Sequence, residues 1–228
     1  DLIIKNPAVK PDNPYLLHAL KQNKQVEMDM GIFLQFVHPS QIIGVTGTKG
    51  KSTTASLIYE IIKNTLNSDG VKLFHPRGVL GSHGIVFAGN IGKSVLDTVP
   101  YIKDDSLVIL ELSSFQIESF KTHRVSPHFT VITNIFPDHL NYYETMEQYI
   151  QSKKDIARQQ NLNDFLFLKK DDPITNTPGF LKDLEGQIAY FSPDDLPTGF
   201  SPKLQGEYNL WNIAAALVVA KNLAGNIP

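Results

Sequence analysis

The chain has 228 residues, enough for one large domain or for one domain with part of another. It is 42% hydrophobic and 19% charged, and its formal net charge of −2 gives no electrostatic case for nucleic acid as the main partner. With no cysteine, disulfides and thiolate metal centres are excluded, and no apolar run is long enough to cross a bilayer as a helix. No signal peptide is visible, and the lack of cysteine fits a cytoplasmic protein.

The elements alternate between strand-like and helix-like segments. Asp1 opens directly into the apolar run Leu2-Ile3-Ile4, a short strand, as if the chain began inside a larger protein. Lys5 to Pro14, rich in Pro and Asn, reads as a loop. Tyr15 to Gln22 and Met30 to Val37 read as helices, and Pro39-Ser40 as a domain junction. A strand over Ile42–Val45, a glycine loop and a helix over Ser52–Leu66 follow. Val71 to Gly89 carries Gly, His and Pro and has no clear period. Ser106 to Leu112 and Phe129 to Ile135 are continuous apolar strands. Met146 to Gln160 reads as a helix, Phe165–Leu168 and Ile188–Phe191 as strands, and Asn209–Leu223 as a buried helix. Continuous apolar strands alternating with helices predict an α/β fold of P-loop type, a mostly parallel sheet with helices on both faces. Ligands of such folds bind beyond the carboxyl ends of the strands.

The segment Gly44 to Thr54, GVTGTKGKSTT, carries most of the chemistry. Glycines let the backbone turn its N–H groups toward phosphate oxygens, and a helix N-terminus adds partial positive charge. A lysine then reaches the terminal phosphates and a hydroxyl can ligate Mg²⁺, the places taken by Lys51 and Ser52. Val45 stands where the strict G-x-x-x-x-G-K-[ST] pattern has its first glycine, so the loop is a T-G-T-x-G-K-S variant. Glu111 ends a strand, where its carboxylate could hold Mg²⁺ or simply be solvated. His139, after Asp138, could ligate a metal or bond a substrate, although a lone loop histidine is more often solvated. Lys153 and Lys154 on a helix usually form a solvated face. Gly89-Asn90-Ile91-Gly92 is usually only a turn, and Asn209 could be an N-cap.

In sequence order, TGTKGKSTT, GNIG, LELSSFQIES, TNIFPDHLNYYETMEQYIQSKK and LQGEYNLWNIAAAL resemble the central domain of the Mur ligases. These are ATP-dependent amide-forming enzymes of peptidoglycan precursor synthesis. ELSSFQ is similar to the branch that adds D-glutamate to UDP-N-acetylmuramoyl-L-alanine, and Lys5-Asn6-Pro7-Ala8-Val9 resembles the S-P-G-I turn closing that branch's uridine-binding domain. The resemblance implies that residues 1–39 end a uridine-nucleotide-binding N-terminal domain and residues 40–228 form the central ATP-binding domain. The C-terminal amino-acid-binding domain would start near Asn226-Ile227-Pro228, so the chain alone is expected to bind nucleotide without completing catalysis.

The resemblance also implies roles, residue by residue. Gly47, Thr48, Lys49, Gly50, Lys51, Ser52 and Thr53 would hold the ATP phosphates, with Lys51 on the β/γ-phosphates. Ser52 and Glu111 would bind one Mg²⁺, and His139 with a carbamylated Lys153 a second. Asn90, Ser113, Gln116 and His139 would face the muramoyl substrate, while Asn209 and Asn212 would read the adenine edge. Asn141 departs from the family's D-H-[LM]-D, and Pro7-Ala8 from Pro-Gly. Folylpolyglutamate synthase, which shares the fold and the loop, stays open as an alternative, against which ELSSFQ and GNIG argue. A nucleotide-binding module without ligase activity is the other, against which Glu111, His139 and Lys153 together argue.

Overall fold

The computed structural model describes residues 1–66, 84–90 and 94–224, with the backbone pairing of 74–75 and 78–79. Residues 71–73, 76–77 and 80–83 of the Val71–Gly89 stretch, Ile91 and Gly92, and Asn226 to Pro228 lie outside the described residues.

The chain opens with β1 (Leu2–Ile4), α1 (Pro14–Lys21) and β2 (Gln25–Glu27), the two strands pairing in parallel. α2 (Asp29–Phe33) follows, shorter than the sequence suggests. Its Met30 and Phe33, with Val37, pack in the same core as Ile42, Ile132 and Leu166.

β3 (Ile42–Thr46) leads through the glycine loop into α3 (Lys51–Leu66). After β4 (Phe74–His75) and β5 (Gly78–Val79) come β6 (Ile85–Gly89), β7 (Leu107–Glu111), α4 (Ser114–His123) and β8 (Phe129–Ile132). Then come α5 (Met146–Lys154), β9 (Phe165–Lys169), α6 (Pro178–Leu181), β10 (Gln187–Phe191) and α7 (Glu207–Leu223).

The six-stranded sheet has the order β10-β9-β8-β3-β7-β6, and every pairing in it is parallel. The predicted class therefore holds. Alternate side chains of the strands feed two separate cores. Ile43, Val45, Ile109, Val131 and Phe167 meet α3 and α7 on one face. Ile42, Val108, Leu110, Ile132 and Leu166 meet α2, α4 and α5 on the other. Burial on both faces is why these strands read as unbroken apolar runs.

The connections from β3 and from β8 run to opposite sides of the sheet, so a topological switch point lies between these neighbours. A crevice opens there at the carboxyl ends. α4 is not evident from periodicity, because its buried face includes Ser114, Gln116 and Ser119. Its signal is the S-x-x-Q capping box of Ser113 and Gln116. α7 starts at Glu207 after Gly206, so Asn209 lies inside the first turn rather than at the cap.

Candidate active site

β3 delivers the chain to the glycine loop at the switch point. Gly50 has φ +83°, and a Cβ there would lie 2.3 Å from the Asn212 side-chain oxygen. Only glycine fits, in both backbone conformation and space. Lys51 begins α3 and folds its ammonium back over the loop, donating to the carbonyl oxygens of Gly47 at 3.1 Å and Thr48 at 3.0 Å. Burial lowers its pKa, opposed by Glu111 and Asp138 and assisted by Lys49. Thr48 Oγ accepts from the Phe136 N–H at 3.0 Å and lies 3.1 Å from the Tyr149 hydroxyl. The first residues after β8 support the loop from the side. The Thr133 hydroxyl donates to the Lys49 carbonyl at 2.6 Å, and Asn134 pairs with the Lys49 backbone.

Beside the loop, β7 ends in Glu111, only 3% exposed. One carboxylate oxygen accepts from the Asn90 amide at 3.3 Å; the other is buried with no hydrogen-bond partner. A buried carboxylate oxygen without a donor is costly unless a cation meets it. That orphan oxygen suits an oxygen-seeking Mg²⁺, and Ser52 carries an exposed hydroxyl in the first turn of α3. Gly89 makes the approach possible: at φ +106°, a Cβ would lie 2.1 Å from the Glu111 carbonyl oxygen. Among the described residues, no three His, Cys, Asp or Glu side chains cluster as a preformed metal centre.

Lys153 and Lys154 are both buried rather than on a solvated face. They diverge because successive helical residues point about 100° apart. The Lys153 ammonium donates to the Gly47 carbonyl at 3.0 Å and lies 4.8 Å from the Tyr149 ring centroid. The Lys154 ammonium goes the other way, to the Lys182 carbonyl at 2.6 Å. Burial, reinforced by the nearby Lys51 charge and opposed by Asp138, lowers the Lys153 pKa to about 7. A lysine held this far below its ordinary range gives up its proton more readily to become a nucleophilic amine. His139 has a left-handed backbone, φ +54°, and its ring lies 5.1 Å from that of Phe115 and 6.1 Å from that of Tyr149.

The loop is shared by two cavities. One, of about 540 Å³, is bounded by Gly47, Lys51, Asn90, His139 and Lys153, with Ser113 and Gln116 in its wall. Ser113 and Gln116 also cap α4, the Ser113 N–H donating to the Gln116 side-chain oxygen at 3.0 Å. The other cavity, of about 530 Å³, is bounded by Lys49, Gly50, Phe136, Lys169, Trp211 and Asn212. Asn212 accepts from Thr54 at 3.3 Å and donates to Asn209 at 3.1 Å. Asn209 stands behind it, its amide donating to the Gln205 carbonyl at 2.7 Å. The fold thus brings Lys51, Asn90, His139 and Lys153 around one cavity, with Glu111 bonded behind Asn90, and sets Asn212, backed by Asn209, at the other.

Residues that motif reasoning passed over also belong here. Trp211 carries the Lys169 ammonium 4.3 Å from its ring centroid at the second cavity. Tyr149 joins Thr48, Lys153 and His139. Trp211, the single tryptophan, between Asn209 and Asn212 was the available sequence signal for the first.

Comparison with known proteins gives the chain a family. Residues 45–195 match the Mur ligase middle domain. A UDP-N-acetylmuramoylalanine–D-glutamate ligase of Ruminiclostridium cellulolyticum is 36% identical over 192 residues, which are 84% of this chain and 37% of that protein. The chain thus spans little more than a third of that relative's length. The structure of a UDP-N-acetylmuramate:L-alanyl-gamma-D-glutamyl-meso-diaminopimelate ligase from Neisseria meningitides superposes with a TM-score of 0.65 at 15% identity, covering 99% of this chain and 74% of that one. A bifunctional folylpolyglutamate synthase/dihydrofolate synthase with Mn, AMPPNP and L-glutamate bound superposes with a TM-score of 0.55 at 16% identity, covering 97% of this chain and 64% of that one. At such identities the two structures establish a shared fold.

Proposed function

The chain belongs to the Mur ligase family, and from that premise we propose that it is the ATP-binding core of a ligase that adds D-glutamate to UDP-N-acetylmuramoyl-L-alanine. The observation that carries the reading is one crevice bounded by Lys51, Lys153 and Asn90, with the Asn90 amide bonded to a buried Glu111 whose second oxygen has no partner. The D-glutamate branch is supported by the relative at 36% identity. The folate-ligase alternative is supported by fold likeness alone.

In this reading residues 40–228 are the ATP-binding domain and residues 1–39 the end of a uridine-nucleotide-binding domain. The adenine sits in the cavity of Trp211 and Asn212, with Asn209 holding Asn212 in place. The phosphates lie along Gly47 to Thr53, and Lys51 turns from its loop carbonyls to the β/γ-phosphates. The substrate carboxylate enters the other cavity past Asn90, Ser113 and Gln116 and meets the γ-phosphate near Lys51. Carboxylate oxygen attacks phosphorus and ADP leaves. The amine of D-glutamate then attacks the acyl carbon, loses a proton, and phosphate departs with the carboxylate oxygen.

Ser52 and Glu111 would hold one Mg²⁺. His139 would hold a second with Lys153, once the Lys153 amine has added CO₂ and released a proton to become an anionic carbamate. Bound there, the ions would neutralise charge on the transferring phosphoryl group. The place of action is the cytoplasm, where ATP and a nucleotide-linked precursor meet. Among the described residues no helix is long and apolar enough to cross a membrane.

The test uses the longer protein that carries this chain. With Mg-ATP, UDP-N-acetylmuramoyl-L-alanine and D-glutamate, mass spectrometry should find the amide adduct with one ADP per bond formed. Glutamylation of a folate instead, or ATP turnover without any adduct, would reject the reading.

A further inference from the structure

We propose that Asn134 is a positioning residue that fixes the shape of the phosphate cradle by holding both sides of the Lys49 backbone with one side-chain amide. The Lys49 N–H donates to Asn134 Oδ1 at 2.9 Å, and Asn134 Nδ2 donates to the Lys49 carbonyl at 2.9 Å. The Thr48 N–H donates to the Asn134 main-chain carbonyl, again at 2.9 Å. A single residue therefore pairs with two consecutive loop residues as a neighbouring strand would.

Its place in the fold explains how. β8 lies next to β3 in the sheet, and Asn134 comes just after β8, as the loop comes just after β3. The pairing continues the β3–β8 ladder past its last strand residues, across the switch point, using a side chain where the backbones diverge. Thr133 adds a second anchor through its hydroxyl on the Lys49 carbonyl.

The physical need is specific to this loop. Gly47 has φ +146° and Gly50 φ +83°, so glycines bracket the tied residues. Glycine loses more conformational freedom on ordering than any other residue. Order present before the ligand arrives does not have to be created on binding. The Thr48 and Lys49 N–H groups are spent on Asn134. The anion must then be met by the N–H groups that follow them, at the N-terminus of α3. Asn134 borders the second cavity with Lys49 and Gly50, close enough to shape the passage between the base and the phosphates.

This inference rests on the nucleotide reading above. The experiment measures Mg-ATP and adenosine binding to wild type, Asn134→Ala and Asn134→Ser, with amide hydrogen exchange on each. Loss of the two amide hydrogen bonds should weaken Mg-ATP at least about tenfold. Adenosine, which lacks phosphates, should lose clearly less than Mg-ATP. Exchange at Thr48 and Lys49 should accelerate while that at Ile43 and Val45 of β3 stays slow. If Asn134→Ala does not fold, Asn134→Ser, which keeps a hydroxyl but cannot span both Lys49 groups, carries the same comparison. Equal losses for ATP and adenosine, or unchanged exchange at Lys49, overturn the positioning role. A wild type that binds no Mg-ATP overturns the nucleotide reading itself.

Discussion

Lys51 and Lys153 donate to the same acceptor: the Gly47 carbonyl oxygen lies 3.1 Å from the first ammonium and 3.0 Å from the second. The lysines are separated by about a hundred positions in sequence, and the loop brings them together. Burial, reinforced by the neighbouring Lys51 charge, lowers the Lys153 pKa to about 7, and burial lowers that of Lys51 as well. The geometry therefore gives two like side chains different surroundings. Glu111 and Asp138 favour the charged form of Lys51 against its burial, while Lys153, deeper still, is poised to react as an amine.

Lys51→Ala should remove the cation that meets the phosphates while leaving β3 and α3 in place. Loss of a charge-assisted contact of this kind should weaken Mg-ATP binding by about 2–3 kcal/mol. Calorimetry on the folded variant checks this, and unchanged affinity would contradict the assignment of Lys51.

The two neighbouring lysines should separate cleanly. With ¹³C-labelled bicarbonate, NMR should show one carbamate carbonyl resonance that disappears in Lys153→Ala and persists in Lys154→Ala. In the longer protein, Lys153→Ala should lose activity and regain part of it with acetate. Lys154→Ala should remain active, because its ammonium serves the Lys182 carbonyl. The opposite pattern would move the role to Lys154.

Lys153 also predicts a pH dependence of stability. Its folded-state pKa is about 7 against an ordinary 10.5. Between those values the unfolded chain binds the proton and the folded chain has released it. Stability from this group therefore rises with pH across that window. Urea midpoints of wild type and Lys153→Met, compared from neutral to alkaline pH, should shift in favour of wild type as pH increases. A flat or falling difference refutes the depressed pKa.

Gly50→Ala should damage the loop through backbone and space together. Its φ of +83° disfavours a side chain, and the new methyl would lie 2.3 Å from Asn212 Oδ1. The expected cost is about 1–3 kcal/mol of stability. Nucleotide binding should fall as well, because Asn212 must move. Gly179→Ala, where a Cβ meets nothing within 4 Å, is the control. Equal stabilities of the two variants in chemical denaturation would rule out the strain.

The sequence by itself determined the glycine loop, the long apolar strands and the parallel α/β class. These depend on local signals: glycines before a helix, and strands buried on both faces. It also placed Glu111 at a strand end, because it closes an apolar run. Only the tertiary structure decided the order β10-β9-β8-β3-β7-β6, and with it which strand ends meet. It separated Lys153 from Lys154, which composition and spacing leave equivalent. It showed that Ser113 and Gln116 cap α4 as well as face a cavity, and that Asn209 stands behind Asn212. It also paired Asn134 with Lys49 across 85 positions of sequence. Such relations arise when strands distant in the chain become neighbours, and a local pattern carries no record of that adjacency.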